Sequence, residues 1–472
     1  MDAKLKFQNL KLLQEWWPNS QIYAILRYLG NWQQGSHLIG VGVCGLLLIV
    51  LVGLLPYLSN NQIGYVSAAI AIYWLLLWIG DRASQAVNAA TSTWTPIHLP
   101  LAVYWAIASV ATILSQVRRA AIDGWVKLTI YFIIFACLNR VMRYSSKIPW
   151  RSLLVGTYLV TTVLVCVYGI RQAFLGAEDL ATWTDPTSEL AGTTRIYSFL
   201  LNPNLLAGYL IPAIPLGVVG ALHWQSWGVK LVSLMVAISS WYCITLTYSR
   251  GGQLGTIAES LVLVVLLAYW WATELPRRTI PGILVGAAGA IALSLALFPK
   301  QRLRFLSIFF GREDSSNNFR INVWMSVLQM IKKKPVLGIG PGNKAFNLVY
   351  PIYQRPGYSA LGTYSVPLEI TVETGIIGLA CYAWFIVVAV QQAWKNLNRL
   401  RDTRVSEGLW ITAALSAMAG LMAQGLFDTV WYRPQVQILW WLAIALIASF
   451  CMQQQDEDGR EEIEDGKMKI EE

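Results

Sequence analysis

Residues 231–272 read LVSLMVAISSWYCITLTYSRGGQLGTIAESLVLVVLLAYWWA. Two apolar runs, each about long enough to cross a bilayer as a helix, meet at Thr247-Tyr248-Ser249-Arg250-Gly251-Gly252 with almost no loop between them. The pair reads as a membrane hairpin, because a lipid-embedded chain must satisfy its backbone inside each helix while its side chains face hydrocarbon. The pattern recurs along the chain. Runs at 38–56, 62–80, 97–115, 120–138, 152–170, 203–222, 229–247, 252–272, 280–297, 366–392, 408–426 and 436–453 give twelve expected spans. The fold class is therefore an all-α polytopic bundle. The least regular runs are 120–138, which holds Asp123 and Lys127, and 203–222, interrupted by Pro212 and Pro215.

Composition points the same way. The 472 residues are 56% apolar and 13% charged, against about 25% charged in soluble domains, and mean hydropathy is +0.48. So little charge cannot cover the surface of soluble domains of this total length. A disordered chain, a disulfide-stapled secreted fold and an ordinary cytosolic enzyme are excluded. Net charge is +10, but residues 451–472 hold nine acids against Arg460, Lys467 and Lys469. The remaining basic residues fall in short clusters between apolar runs, which is membrane topology and not a nucleic-acid face. With the N-terminus inside, short cytoplasmic segments and tails hold 19 Lys and Arg, and short outer loops hold 6. That split places both termini in the cytoplasm. The chain is expected to be an integral membrane protein. Its expected parts are a cytoplasmic segment 1–36, a membrane domain 37–453 with a periplasmic loop at 298–365, and an acidic disordered tail at 454–472. Cys44, Cys137, Cys166, Cys243, Cys381 and Cys451 lie in or beside apolar runs without a CxxC pair, so they read as core side chains. His37, His98 and His223 read as interfacial, not as metal ligands.

Four stretches carry chemistry. Asn202-Pro203-Asn204 opens directly into a span and reads as a helix cap, with a ligand role for Asn202 and Asn204 beside it. Ser249-Arg250-Gly251-Gly252 sets a guanidinium at the membrane edge beside glycines that admit another backbone. A charge at that depth needs a partner or a purpose, and an oxyanion suits arginine. In the 298–365 loop, Ser315 to Asn318 supply helix-start chemistry. Ile321, Trp324, Met325, Leu328 and Ile331 then form an apolar face, and Lys332 to Lys334 and Pro335 close the helix. Arg320 near its start makes an anion site. The following Gly338-Ile339-Gly340-Pro341-Gly342 is a tight turn without the ending of a nucleotide loop. The fourth stretch, Tyr364 to Gly378, puts Glu369 and Glu373 on one helix face, able to share a proton, bind a cation or pair with Arg250 or Arg320. Glu259 is a further carboxylate within reach of Arg250.

In this order, the SRGG turn, the helix from Arg320 to Trp324 ending in PVLGIGPG, and the ETGIIG segment resemble the O-antigen ligase and polymerase-like superfamily over roughly residues 195–380. The resemblance implies glycan transfer from an undecaprenyl-diphosphate carrier at the periplasmic face, without metal or cofactor. It also implies that Arg250 and Arg320, with Ser249 beside them, contact the diphosphate. Where the family's ligases carry a His-Asn pair upstream of the glycine that is Gly375 here, this chain has Tyr364 and Ser365. A phenol, with an ordinary value of about 10, is a poor base at neutral pH. The YSVPLEITVETG version and the Trp-rich N-terminus look closest to the cyanobacterial IctB-type proteins, which implies a link to bicarbonate transport with an outward anion site on Arg250 and Arg320. The other reading is a glycan ligase in which Tyr364 or Glu369 replaces the histidine, with Asn202, Asn204, Glu259, Glu373 and Gly340 in support. The expected partner is accordingly bicarbonate or a polyprenyl-diphosphate-linked glycan, within membrane lipid.

Overall fold

The computed structural model describes residues 41–83, 94–144, 148–177, 194–272 and 314–451, with scattered positions between 282 and 312. The expected segment 1–36, the expected span 280–297 and the acidic tail lie outside the described residues.

Among the described residues there is no strand. In chain order the helices are α1 (Val43–Leu54), α2 (Asn60–Ala83), α3 (His98–Ile113), α4 (Arg118–Arg143), α5 (Trp150–Leu175), α6 (Pro203–Leu210), α7 (Ala213–His223), α8 (Trp227–Thr247) and α9 (Arg250–Trp270). These are followed by α10 (Ser315–Lys333), α11 (Asn343–Val349), α12 (Val366–Asp402), α13 (Leu409–Gly425) and α14 (Pro434–Ala448). Eight helical segments are long and apolar enough to cross a membrane, α6 and α7 together forming one of them. The α1, α3 and α14 helices are shorter and apolar. Eleven of the expected spans thus coincide with described helices.

The bundle is built around α14. Every residue of that helix except Gln437 is buried, including Trp440 and Trp441, so a run of only 15 residues serves as a central post rather than a lipid-facing span. The outer helices turn apolar stripes outward. Val160, Leu164 and Val167 of α5 and Leu231, Leu234, Met235 and Ile238 of α8 are exposed at helical spacing, a surface that matches lipid and would be a liability in water. His98 and His223 sit at helix ends, the first residue of α3 and the last of α7.

One local feature was legible as a break. The α6–α7 segment is interrupted at Ile211 and Pro212, where proline lacks the N–H that would continue the ladder. The cysteine reading needs one correction. Cys44 of α1 and Cys137 of α4 are joined as a disulfide. The sequence separation of 93 hid it, because only the bundle brings those two helices side by side. Cys166, Cys243, Cys381 and Cys451 are buried thiols outside any disulfide, as core side chains should be.

The glycine turn and α12 are one unit. Inside α12, Gly375 has φ 72 and ψ −175, a conformation open essentially to glycine alone. The helix opens there, and the turn after α10 docks into the opening. The Ile339 and Gly340 N–H groups donate to the Val372 and Glu373 carbonyls at 2.8 and 3.0 Å, and the Ile376 N–H donates to the Pro335 carbonyl at 2.8 Å. Gly338, Gly340 and Gly342 all have positive φ. A side chain at Gly342 would run into the Cα of Gly124 on α4, and one at Gly340 into Ala121 and Ser115. The turn is therefore held between α12 and the start of α4.

Candidate functional site

Three helix starts share a local design at one end of the bundle. Leu201, Tyr248 and Tyr364 each have positive φ, and each immediately precedes the N-cap residue of a helix: Asn202 for α6, Ser249 for α9 and Ser365 for α12. Left-handed non-glycine residues cost roughly 1–3 kcal/mol and concentrate at functional sites. Two of the caps carry side-chain bonds. Asn202 Oδ1 accepts from the Asn204 and Leu205 N–H groups at 2.9 and 3.2 Å, and Ser249 Oγ accepts from the Gly252 N–H at 3.1 Å. The cap reading of Asn202 holds. Ser249 is engaged in the same way and is buried.

The glycines after Arg250 work as the sequence suggested. A Cβ on Gly252 would lie 2.6 Å from the Ala207 methyl of α6, and one on Gly255 would lie 2.8 Å from the Gly420 carbonyl of α13. The start of α9 is thereby wedged between α6 and α13, and Arg250 is held at 4% exposure.

Arg250 Nη1 donates to Asp314 Oδ1 at 2.9 Å and to Ser307 Oγ at 3.2 Å. Asp314 is also the N-cap of α10, accepting from the Asn317 N–H at 2.8 Å. The carboxylate partner of Arg250 is therefore neither Glu259, Glu369 nor Glu373. Glu259 is fully buried on α9 and makes no hydrogen bond among the described residues; its Cβ lies against Gly420, one turn beyond Gly255.

Arg320 lies one turn into α10 and makes no hydrogen bond or ion pair with a described residue. It lines, with Arg250, Gly251, Asn317, Ile321 and Trp324, a pocket of about 140 Å³. Two further charged residues, not singled out in the sequence, complete the group. Arg195 Nε donates to the Thr247 carbonyl at 2.9 Å and Nη2 to Asn204 Oδ1 at 3.4 Å. Burial, then the charges of Arg250 and Arg320, lower the Arg195 guanidinium to about 10, with Asp428 opposing; it stays a cation at neutral pH. Asp428 follows α13. Burial holds its carboxyl above the ordinary carboxylate range, although Arg320, the Thr429 N–H, Arg195 and Asn204 all pull the other way. Arg195 lies in a loop and Asp428 after a span, so neither shows a helical spacing that could have joined it to Arg250 in the sequence.

The face of α10 differs from the expected one. Its buried residues are Asn322, Val323, Ser326, Val327 and Met330, whereas Leu328 is exposed. Val323, Val327 and Met330 pack with Ile339, Phe346, Tyr350 and Val372 in a small core of their own. Ile321 and Trp324 are left to line the arginine pocket, with Trp324 Nε1 donating to the Thr363 carbonyl at 3.0 Å. The periodicity identified the helix but set its apolar face on Ile321, Trp324, Met325, Leu328 and Ile331; the face that packs beside the glycine turn is centred on Val323, Val327 and Met330.

Tyr364 stacks edge-on against Phe319, with 5.6 Å between ring centroids. Burial, then the charge of Asp428, pushes its phenol up to about 12. Glu369 and Glu373 do share one face, and both open on a second cavity of about 150 Å³. Glu373 Oε1 accepts from the Gly342 N–H at 2.7 Å, which ties the acidic pair to the glycine turn. Gly340 meets this stretch through its backbone, its N–H donating to the Glu373 carbonyl. Among the described residues, no three His, Cys, Asp or Glu side chains gather as a metal site would require.

This assembly, an arginine turn, a capping helix with Arg320 and a glycine turn docked into an opened helix, runs from α8 into α12. Residues 232–383 match the O-antigen ligase family model. The match covers roughly a third of the chain and supports an O-antigen ligase-like membrane protein. The O-antigen ligase-like segment contains Arg250, Arg320, Tyr364, Glu369 and Glu373. Arg195 and Asp428 join it from outside. No individual curated protein matches the chain.

Proposed function

We propose that this protein transfers a glycan from a polyprenyl-diphosphate carrier to an acceptor hydroxyl at the periplasmic face of a bacterial inner membrane, with both termini in the cytoplasm. The observation that carries this reading is the arginine pocket. Arg250, at the start of α9, and Arg320, one turn into α10, line one space, and Arg195 lies within electrostatic reach of both, so an anion there meets guanidinium groups beside a helix start. Ile321 and Trp324 wall the same space with apolar surface. An ion such as bicarbonate needs the first feature and gains nothing from the second. A diphosphate on a lipid chain uses both.

In this reading the arginines bind the diphosphate and stabilise the charge that develops on its oxygen as the bond to the anomeric carbon breaks. The acceptor oxygen forms the new bond to that carbon, and its proton passes to a carboxylate. Our candidate for this is Glu369, which makes no hydrogen bond with a described residue and opens on a cavity. Tyr364, pushed up to about 12, keeps its proton at neutral pH and serves as a donor or positioning group instead of a base.

The test uses the full chain in nanodiscs with an undecaprenyl-diphosphate-linked glycan. The wild type is expected to bind the carrier, and Arg320→Ala to weaken binding by about 10- to 100-fold, the loss of one charge-assisted contact. If the carrier does not bind, while labelled bicarbonate crosses proteoliposome membranes in a flux that Arg250→Ala abolishes, the transfer reading is wrong and the inorganic-carbon reading is right.

A further inference from the structure

The chamber on the far side of Glu369 differs in kind from the arginine pocket. It lies between α3, α4, the glycine turn and α12. Tyr104, Tyr131, Tyr382, Tyr432 and Trp441 supply aromatic surface, and Glu369 and Glu373 supply carboxyl oxygens. Its one basic neighbour is Lys127, whose ammonium pairs with Asp123 at 2.7 Å, the other oxygen of Asp123 meeting Lys344 at 3.0 Å. The rim thus holds two ammonium groups around one carboxylate, and the acids of the interior are Glu369 and Glu373.

Carboxyl oxygens beside aromatic faces are the complement of a sugar ring, whose hydroxyls donate and whose C–H face packs on aromatic surface. A cavity of about 150 Å³ admits one six-membered ring. The chamber and the arginine pocket share no lining residue, but charged and aromatic groups lie between them. Asp428 lies within electrostatic reach of both Glu369 and Arg320, and Tyr432, which lines the chamber, lies within reach of Tyr364. We infer that this chamber is the acceptor subsite, holding one sugar ring that bears free hydroxyls and no acidic group, with Glu369 and Glu373 accepting from its hydroxyls. The inference rests on the transfer reading for the word acceptor, but the binding itself does not depend on it.

The probe is a methyl hexoside carrying a photoreactive diazirine, applied to the full chain in nanodiscs. Labelling is expected within residues 124–132 and 432–441, suppressed by excess neutral methyl hexoside and not by methyl hexuronoside, whose carboxylate would have to leave water to sit beside two carboxyl groups. Glu369→Gln should weaken labelling about tenfold, and Leu128→Trp, filling the chamber, should remove it. Arg320→Ala should leave labelling intact, because that side chain lines the other pocket. Suppression by tetramethylammonium but not by hexoside would identify an organic-cation site and overturn the inference, as would equal suppression by the uronoside. If the carrier glycan binds and no hexoside labels the chamber, the acceptor subsite is refuted and the transfer reading stands. If hexoside labels the chamber and no carrier binds, the sugar site stands and the transfer reading falls.

Discussion

Gly375→Ala tests the unit that holds the site together. Alanine must adopt φ 72 and ψ −175, which costs roughly 1–3 kcal/mol by itself. Its Cβ would also overlap the Val336 carbonyl, so the turn from Pro335 to Gly342 has to withdraw. Withdrawal breaks the bonds from Ile339 to Val372, Gly340 to Glu373 and Ile376 to Pro335, and each such bond contributes about 0.5–1.5 kcal/mol net. The whole change is about 3 kcal/mol at the least. Gly156→Ala is the control. That position in α5 has nothing within 4 Å of a Cβ, and helical alanine there should stabilise by up to about 1 kcal/mol. Denaturant unfolding of the protein in detergent micelles, with limited proteolysis between residues 335 and 342, reads both. Gly375→Ala should lower stability by about 3 kcal/mol or more and expose the turn to protease. A variant within about 0.5 kcal/mol of wild type, with the turn still protected, would refute the claim that the opened helix and the glycine turn are mutually dependent.

Two further outcomes follow from the charged group. Asp314→Asn retains a capping oxygen but loses the buried pair with Arg250, and unfolding should register about 3 kcal/mol of destabilisation; Asp314→Ala should lose about 1 kcal/mol more with the cap. Equal stability of Asp314→Asn and wild type would show that the pair does not hold Arg250. Asp428 is raised by burial, so its protonated form favours the fold. Its contribution is greatest below the ordinary carboxylate value of about 4 and falls as pH rises from there through the raised value. The stability difference between wild type and Asp428→Asn, followed by unfolding between pH 4 and 8, should therefore shift against the wild type with rising pH; a difference independent of pH would contradict the assignment.

The carboxylates illustrate how far spacing carries an argument. Glu369 and Glu373 are four apart, and a helix puts that spacing on one face whatever surrounds it. Which partner each acid meets is a different matter. Arg250 pairs with Asp314, 64 residues later, and that choice depends on where α10 lies over α9. The lid helix shows the same division. Its C-terminal end follows from three lysines and Pro335, which are local signals, whereas its N-cap is Asp314, one residue before the Ser315–Asn318 stretch expected to start it. Its packed face, centred on Asn322, Val323 and Ser326, was set by a turn that no periodicity within the helix encodes.

Sequence by itself determined that this chain is a helical membrane bundle. Apolar runs of bilayer length and a charge content of 13% are properties of local composition, and lipid permits few other solutions. It also determined which arginines and acids are worth attention, since charge is rare enough in such a chain to be conspicuous. Tertiary structure alone decided that Arg195 and Asp428 belong with Arg250 and Arg320, that Cys44 meets Cys137, and that the basic and acidic groups line two separate cavities. Those relations arise from helices meeting across long separations, and the free energy that selects them is side-chain packing and desolvation in the assembled bundle, not anything a single segment carries.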